Sequence, residues 1–364
     1  MADHDPPTDA NTPLPALWHY LANLKGDDRE AWRLADIPDR PSADERELPK
    51  DYPFGWYVID YSDELAVGEL KPIRYFGQEL ALWRGDDGVA RVIDAYCAHF
   101  GANMAHGGKV TGNYLECPFH AWRYDGEGAV KEIPYAKVIP PQARRKDCVP
   151  SWPTQEINGM IWIWYHPERV APLWELEVFE EVGHPDWTPF KKFEWNVFSC
   201  MENVSENGID ISHFKYVHGA PTVPDYKISY DGIRRSVRAD ITLTTPRGFV
   251  DGAINVRSIG PGQAWARFSG LSETMLVSGN TPIDRDCVKI RFAFIQPKSE
   301  AGSRLAAGLI ADICNQLDQD KVIFDRHKRI EPPLVCDGDG PFGRNRVFYN
   351  QFLVQPRPTK MRAA

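Results

Sequence analysis

The sequence predicts an α+β protein: a small all-β domain, then a domain with an antiparallel sheet and a long C-terminal helix. Three observations predict it. Between about 55 and 170, short β-type runs are broken by Gly and Asp. Between 234 and 296, runs such as VRADITLTT and CVKIRFAFIQP alternate polar and apolar residues. After Pro297 a helical period takes over, from about 302 to 328. Three segments are therefore expected: an N-terminal tail with a short helix over 1–45, the β domain over 46–170 and the second domain over 171–364.

Each element has its own signal. Residues 1–13 are polar and contain proline, and read as a mobile tail. Leu14, Leu17, Trp18, Leu21 and Leu24 recur at helical spacing, which predicts a short helix within 14–35. Residues 39–54 are charged and Pro-rich, as a connector would be. ELALWR, GDDG and VARVIDAY form a strand, a tight turn and a strand. NYLECPF and GMIWIWYHP are further strands, and loops of this domain carry Cys97–Gly108 and Cys117–Gly128. Residues 199–218 read as a helix with a polar face. The order helix, antiparallel strands, helix predicts a helix packed on a sheet.

Bulk properties narrow the function. The chain has 364 residues, 43% of them apolar, enough for a sizeable core. A net charge of −9 argues against nucleic acid or an anionic membrane as the main partner. No apolar run approaches the roughly 18 residues of a membrane span. The start, MADHDPPTDANTP, lacks the pattern of a signal peptide, so a cytoplasmic location is expected. Seven cysteines, an odd number in a long chain, read as free thiols and metal ligands, not a disulfide framework.

The first chemical motif is CAHFGANMAHGGKVTGNYLECPFHAWRYDGEG. Cys97 and His99 form Cys-x-His; Cys117 and His120 form Cys-x-x-His. A Rieske [2Fe–2S] centre needs two thiolates on one iron and two imidazoles on the other, and each short motif supplies one of each. Neutral imidazoles raise the potential, so such a centre can feed an oxygen-activating metal. Gly101, Gly107, Gly108, Gly126 and Gly128 permit the tight backbone that points N–H groups at sulfur. A Cys₂His₂ zinc finger uses Cys-x₂₋₄-Cys and His-x₃₋₅-His pairs, which the mixed Cys-x-His and Cys-x-x-His pairs of this motif do not match. His106 lies outside the spacing and reads as a surface or supporting histidine.

The second motif is ENVSENGIDISHFKYVHG. His213 and His218 are separated by four residues, with Asn207 as a supporting candidate and Asp210 upstream. A non-haem Fe(II) site needs two imidazoles and one carboxylate on one face of the metal. Five residues on an ideal helix turn by about 140°, so the pair would not share a face unless the helix ends or distorts near Gly219. The competing reading is a helix with two ordinary histidines. The third ligand must come from elsewhere. In the 302–328 helix, Leu309, Ile313, Leu317 and Phe324 form a stripe that brings in Asp320, while Asp312, Asp318 and Asp325 fall off it and read as solvated. A carboxylate on an apolar face needs a metal or a salt bridge. Asp320 is the chosen ligand. Asp210, three residues before His213, is placed to accept a hydrogen bond from that ring's second nitrogen.

With both motifs in this order, the chain from about 50 to 355 resembles the Rieske non-haem iron oxygenases. Within them, NQLDQDKVIFDRHKRIEPPLVCDGDGP is most similar to the 3-ketosteroid 9α-hydroxylase group, and IDISHFKYVHG to both that group and the cholesterol 7-desaturases. The leading ENG leans toward the desaturases. The resemblance implies a helix-grip catalytic domain and a head-to-tail homotrimer, in which Asp210 bridges one subunit's cluster to the next subunit's iron. It implies a [2Fe–2S] cluster, a mononuclear Fe(II), O₂ as co-substrate, and a flavin/[2Fe–2S] reductase or a ferredoxin as donor. NAD(P)H would act only through that reductase. The expected reaction is hydroxylation of an unactivated carbon on an apolar, steroid-like substrate. Sterol desaturation and aromatic O-demethylation or hydroxylation are the alternatives with the same metals. A pure electron carrier would leave some 200 residues without a role.

Overall fold

The computed structural model describes residues 14–37, 40–245, 248–270, 272–299, 304–357 and 362–363. The expected tail over 1–13 lies outside them. The chain forms two compact units, Phe54–Phe179 and the remainder on either side of it. The expected boundaries at 46 and 171 therefore move to 54 and 180. Among the described residues, those from 14 to Pro53 group with the C-terminal unit.

The Phe54–Phe179 unit is all β. Gly55–Tyr61 pairs with Met160–Tyr165, which pairs with Thr154–Ile157. All six residues of MIWIWY are buried, as a continuous apolar strand requires. The expected hairpin forms between Gln78–Arg84 and Ala90–Asp94, with Arg84 opposite Ala90. A third sheet runs Lys109–Thr111, Tyr114–Glu116, Arg123–Tyr124 and Val130–Glu132. NYLECPF is thus strand only over Tyr114–Glu116; at Cys117 the chain leaves the ladder for a loop. Trp83, Met104, Leu115 and Tyr124 share one core with Cys97 and Cys117.

The other unit is organised on a seven-stranded antiparallel sheet. Its strands are Lys191–Val197 (β1), Asp225–Asp231 (β2), Arg234–Thr245 (β3), Gly248–Ile259 (β4), Gln263–Ser269 (β5), Thr274–Asp284 (β6) and Cys287–Ile295 (β7). The order is β1-β7-β6-β5-β4-β3-β2, a meander with β1 added beside β7. The N-terminal helix divides into Leu14–Asn23 (α1) and Asp27–Leu34 (α2), with Gly26 at φ 54° between them. The helix expected over 199–218 is also two pieces, Met201–Asn207 (α3) and Ser212–Tyr216 (α4). Ile209 and Ile211 between them are both buried and pack with Val237. Residues two apart point to opposite sides of a helix, so burying both requires the chain to leave it. The long helix is Arg304–Phe324 (α5), and Phe342–Asn350 (α6) follows.

Helix α5 is fastened by buried charge. Asp318 is fully buried and Asp325 nearly so, against the expectation that both are solvated. Asp318 accepts bonds from Arg29 (2.7 Å), Arg33 (2.8 and 2.9 Å) and the Trp195 indole (2.7 Å), tying α5 to α2 and β1. Asp325 pairs with Lys321 at 2.8 Å and accepts from the Phe198 amide. The apolar stripe missed these positions because a carboxylate can be buried off the stripe where cations and N–H donors from distant segments compensate it. Asp312 is exposed, as expected.

Candidate metal centres

In the β unit, the four motif residues sit on the loops that leave short strands. Cys97 and Cys117 are buried free thiols, and the His99 and His120 rings lie 4.7 Å apart. Burial pushes the Cys117 thiol up, against backbone N–H groups of Phe119 and His120 that point at its sulfur. Tyr124 is buried, and its hydroxyl lies 3.0 Å from Cys97 Sγ and accepts from the Ala98 amide, so its proton is available to the sulfur. Trp122 stacks on His99 at 4.5 Å. The Nδ1 atom of His99 is buried with no hydrogen-bond partner. An orphaned imidazole nitrogen beside buried thiols fits a metal cluster, since an uncompensated buried polar atom is costly. A Cβ at Gly108 would meet the Met104 carbonyl at 2.1 Å, so only glycine fits this loop. His106 is exposed.

In the other unit, His213, His218 and Asp320 each bring a ligand atom within 4.8 Å of the others. His218 Nε2 lies 3.4 Å and His213 Nε2 3.9 Å from Asp320 Oδ1. Two ligands at about 2.1 Å from one ion lie about 3 Å apart at right angles, so small shifts would close the set. The helix break resolves the angular difficulty. His213 stands on α4, while His218 lies past its end, next to Gly219 at φ 72°.

Each ligand candidate is held from behind. His213 Nδ1 donates to the Asp210 carbonyl, which can only accept, so the proton is on Nδ1 and the Nε2 lone pair faces inward. His218 Nδ1 donates to Gln319 Oε1 at 2.9 Å, with the same consequence. Asn207 Nδ2 donates to Asp320 Oδ2 at 3.0 Å, leaving Oδ1 to the histidines. With both rings neutral, two lone pairs and a carboxylate oxygen converge, a set that suits a cation; without one, a proton on His218 Nε2 answers the carboxylate. Burial would lower His218, but the Asp320 carboxylate and Gln319 lift it above the usual imidazole range; His213 is lowered by burial.

The Asp210 carboxylate is not the partner of His213. Its Oδ1 accepts from the Ser212 amide at 3.1 Å, and its Oδ2 is 3.8 Å from Nδ1. Because Asp210 lies in the break between α3 and α4, helical i,i+3 placement does not apply to it. Sequence reasoning missed Gln319, Tyr124 and Trp122. Gln319 immediately precedes a ligand candidate, and Tyr124 occupies an inward strand position seven residues after Cys117, so both signals were present but nonspecific.

A cavity of about 900 Å³ opens on His218. Phe214, Pro221, Val223, Ile241, Ile254 and Leu309 give it apolar walls, and Asp225, Asp240, Asp312 and Arg304 add charge.

Two thiols with two imidazoles, and a separate two-histidine, one-carboxylate set beside a cavity, define a Rieske-type oxygenase. Comparison with known families agrees. Residues 55–153 match the Rieske [2Fe–2S] domain, and residues 163–353 match the 3-ketosteroid 9α-hydroxylase C-terminal domain. The chain is 31% identical to a probable 3-ketosteroid-9-alpha-monooxygenase, oxygenase component, of Rhodococcus rhodochrous, over 84% of this chain and 81% of that one. It is 42% identical to a cholesterol 7-desaturase of Hemicentrotus pulcherrimus, over 86% and 72% respectively. Among solved structures, dicamba monooxygenase with bound dicamba superposes with a TM-score of 0.67 at 18% identity, over 82% of this chain and 96% of that one, a likeness of fold. The chain belongs to the family of Rieske oxygenases that carry the 3-ketosteroid 9α-hydroxylase C-terminal domain. It is an oxidoreductase whose cofactors are a [2Fe–2S] cluster and a mononuclear iron. Among the described residues no helix is long and apolar enough to cross a membrane.

Proposed function

We propose that this chain is a terminal oxygenase that hydroxylates an unactivated carbon of a 3-ketosteroid-like substrate. In this reading Cys97, His99, Cys117 and His120 hold the cluster, and His213, His218 and Asp320 hold the iron. The cluster supplies electrons one at a time and the iron supplies O₂ activation. The protein's own part is placement. Gln319, the Asp210 carbonyl and Asn207 fix the ligands, and the apolar cavity walls orient the substrate and exclude water. The observation that carries the reading is the cavity of about 900 Å³ that has His218 in its wall. That volume lies in the upper part of the range for small-molecule sites.

The assembly follows the family pattern: a head-to-tail homotrimer, supplied by a flavin/[2Fe–2S] reductase or a ferredoxin, in the cytoplasm. Asp210, whose carboxylate is 33% exposed and not spent on His213, is free for the bridging role. Seven unbridged cysteines suit a reducing compartment.

A second reading, sterol desaturation, is favoured by one feature. Asp225, Asp240 and Asp312 are acceptors, which suit a sterol hydroxyl, whereas a ketone needs a donor such as Arg304. The test is substrate-dependent O₂ uptake with a surrogate reductase across 3-ketosteroids, 3-hydroxysterols and methoxybenzoates, with products weighed by mass spectrometry. The proposal expects uptake with a 3-ketosteroid and a product one oxygen heavier. A sterol product lighter by two hydrogens would replace it with the second reading, and a response to methoxybenzoates alone would remove both.

A further inference from the structure

We propose that the loop over residues 133–148 is the docking site of the electron donor, and that the donor is a small acidic [2Fe–2S] protein. The proposal rests on the reading above only in taking the chain to receive electrons from a separate protein. The loop is anchored by Ile133 and Ala143 in the core that contains Cys97 and Cys117, with Ile139 and Cys148 packed against it. Between the anchors it displays Tyr135 (62% exposed) and Val138 (69% exposed). Tyr135 is wired inward. Its hydroxyl accepts from the Trp122 indole at 2.8 Å, and Trp122 stacks on His99. A surface ring thus connects to a cluster-ligand candidate through one hydrogen bond and one stack.

The charge of the loop points to the partner. Three nearby carboxylates are matched, Asp125 with Lys131, Glu127 with Lys146 and Glu132 with Arg123, and the loop's own Asp147 accepts from the Ser151 amide and hydroxyl. Lys137, Arg144 and Arg145 are exposed and have no carboxylate partner among the described residues, leaving a basic excess on a chain of net charge −9. Such a patch steers an acidic partner and fixes its orientation. In the encounter one electron leaves the donor's reduced cluster, which is oxidised by one, and the cluster beside His99 is reduced by one. No bond is made or broken.

The test uses the full-length, iron-loaded protein with Lys137→Glu, Arg144→Glu and Arg145→Glu combined, and a separate Tyr135→Ala variant. The probe is a reduced plant-type [2Fe–2S] ferredoxin. Stopped-flow absorbance reads cluster reduction, and calorimetry reads binding. The triple variant is expected to lose at least about tenfold in second-order rate at low salt, a gap that closes near 1 M salt, where the Debye length is about 3 Å. Calorimetric affinity should fall with it. Tyr135→Ala should slow reduction even at saturating ferredoxin. Reduction by dithionite should be unchanged in both. Unchanged rates with ferredoxin, or an equal loss with dithionite, would overturn the proposal. So would dissociation of the assembly in sedimentation, because the loop would then be a subunit contact. If instead the unmodified protein shows no Rieske spectrum or no dithionite reduction, the underlying reading has failed, not the docking site.

Discussion

The cluster region takes all its candidate ligands from two loops between Cys97 and His120, whereas the iron region joins His213 and His218 to Asp320, more than a hundred residues away. The first needs a rigid local frame: glycine loops, a buried β core and a tyrosine on the sulfur. The second needs a whole domain, because only the packing of α5 beside the α3–α4 break brings the carboxylate to the histidines. The difference governs what can be read from sequence and what each site tolerates. A local site depends on its loops. A distributed site depends on every contact that fixes one element against another.

The comparison would break first at Asp320. Asp320→Ala should abolish turnover and release the mononuclear iron, while the Rieske absorption and EPR signals stay intact. Iron analysis beside EPR of the same sample checks this. Full activity would remove Asp320 from the ligand set.

Two residues earlier on the same helix, Asp318 sharpens the contrast between holding a metal and holding a fold. It has two arginines and an indole on one fully buried carboxylate. Asp318→Ala should cost about 3–5 kcal/mol, since it strands the buried Arg33 guanidinium and removes a partner of the half-buried Arg29. The urea midpoint reads this. The protein that remains folded should keep its iron. Iron loss without destabilisation would mean that Asp318 serves the site directly.

Legibility followed the same division. Cys97, His99, Cys117 and His120 were readable because their spacing is itself the chemical requirement. MIWIWY and the hairpin around GDDG were readable because their patterns are short-range. Asp320 was readable from the apolar stripe, yet the same stripe misplaced Asp318 and Asp325, since periodicity cannot see an arginine 285 residues away. The break at 208–211 was hidden for a similar reason. Only burial of both Ile209 and Ile211 against Val237 forces the chain out of the helix, and that burial is tertiary.

Gln319 tests how far the iron region depends on support from behind. Gln319→Leu removes the acceptor of the His218 Nδ1 proton and frees the ring to rotate. Iron affinity should fall about 10- to 100-fold, the usual effect of losing such a partner. Competitive chelation measures it, and Gln319→Glu, which restores an acceptor, should recover most of the loss. Equal affinities in all three proteins would show that packing alone orients the ring.

The smallest effect is expected in the cluster region, where the corresponding support is Tyr124. Its hydroxyl proton favours the reduced cluster, which carries one more negative charge. Tyr124→Phe keeps the ring and the core packing but removes that bond. If the bond favours the reduced form by about 1 kcal/mol, the potential should drop by about 40 mV, read by redox titration of the cluster EPR signal. The fold and the iron content should not change, because the frame here is the β core and not the hydrogen bond. A much larger drop, or loss of the cluster, would mean that the two regions depend on single outer contacts to the same degree.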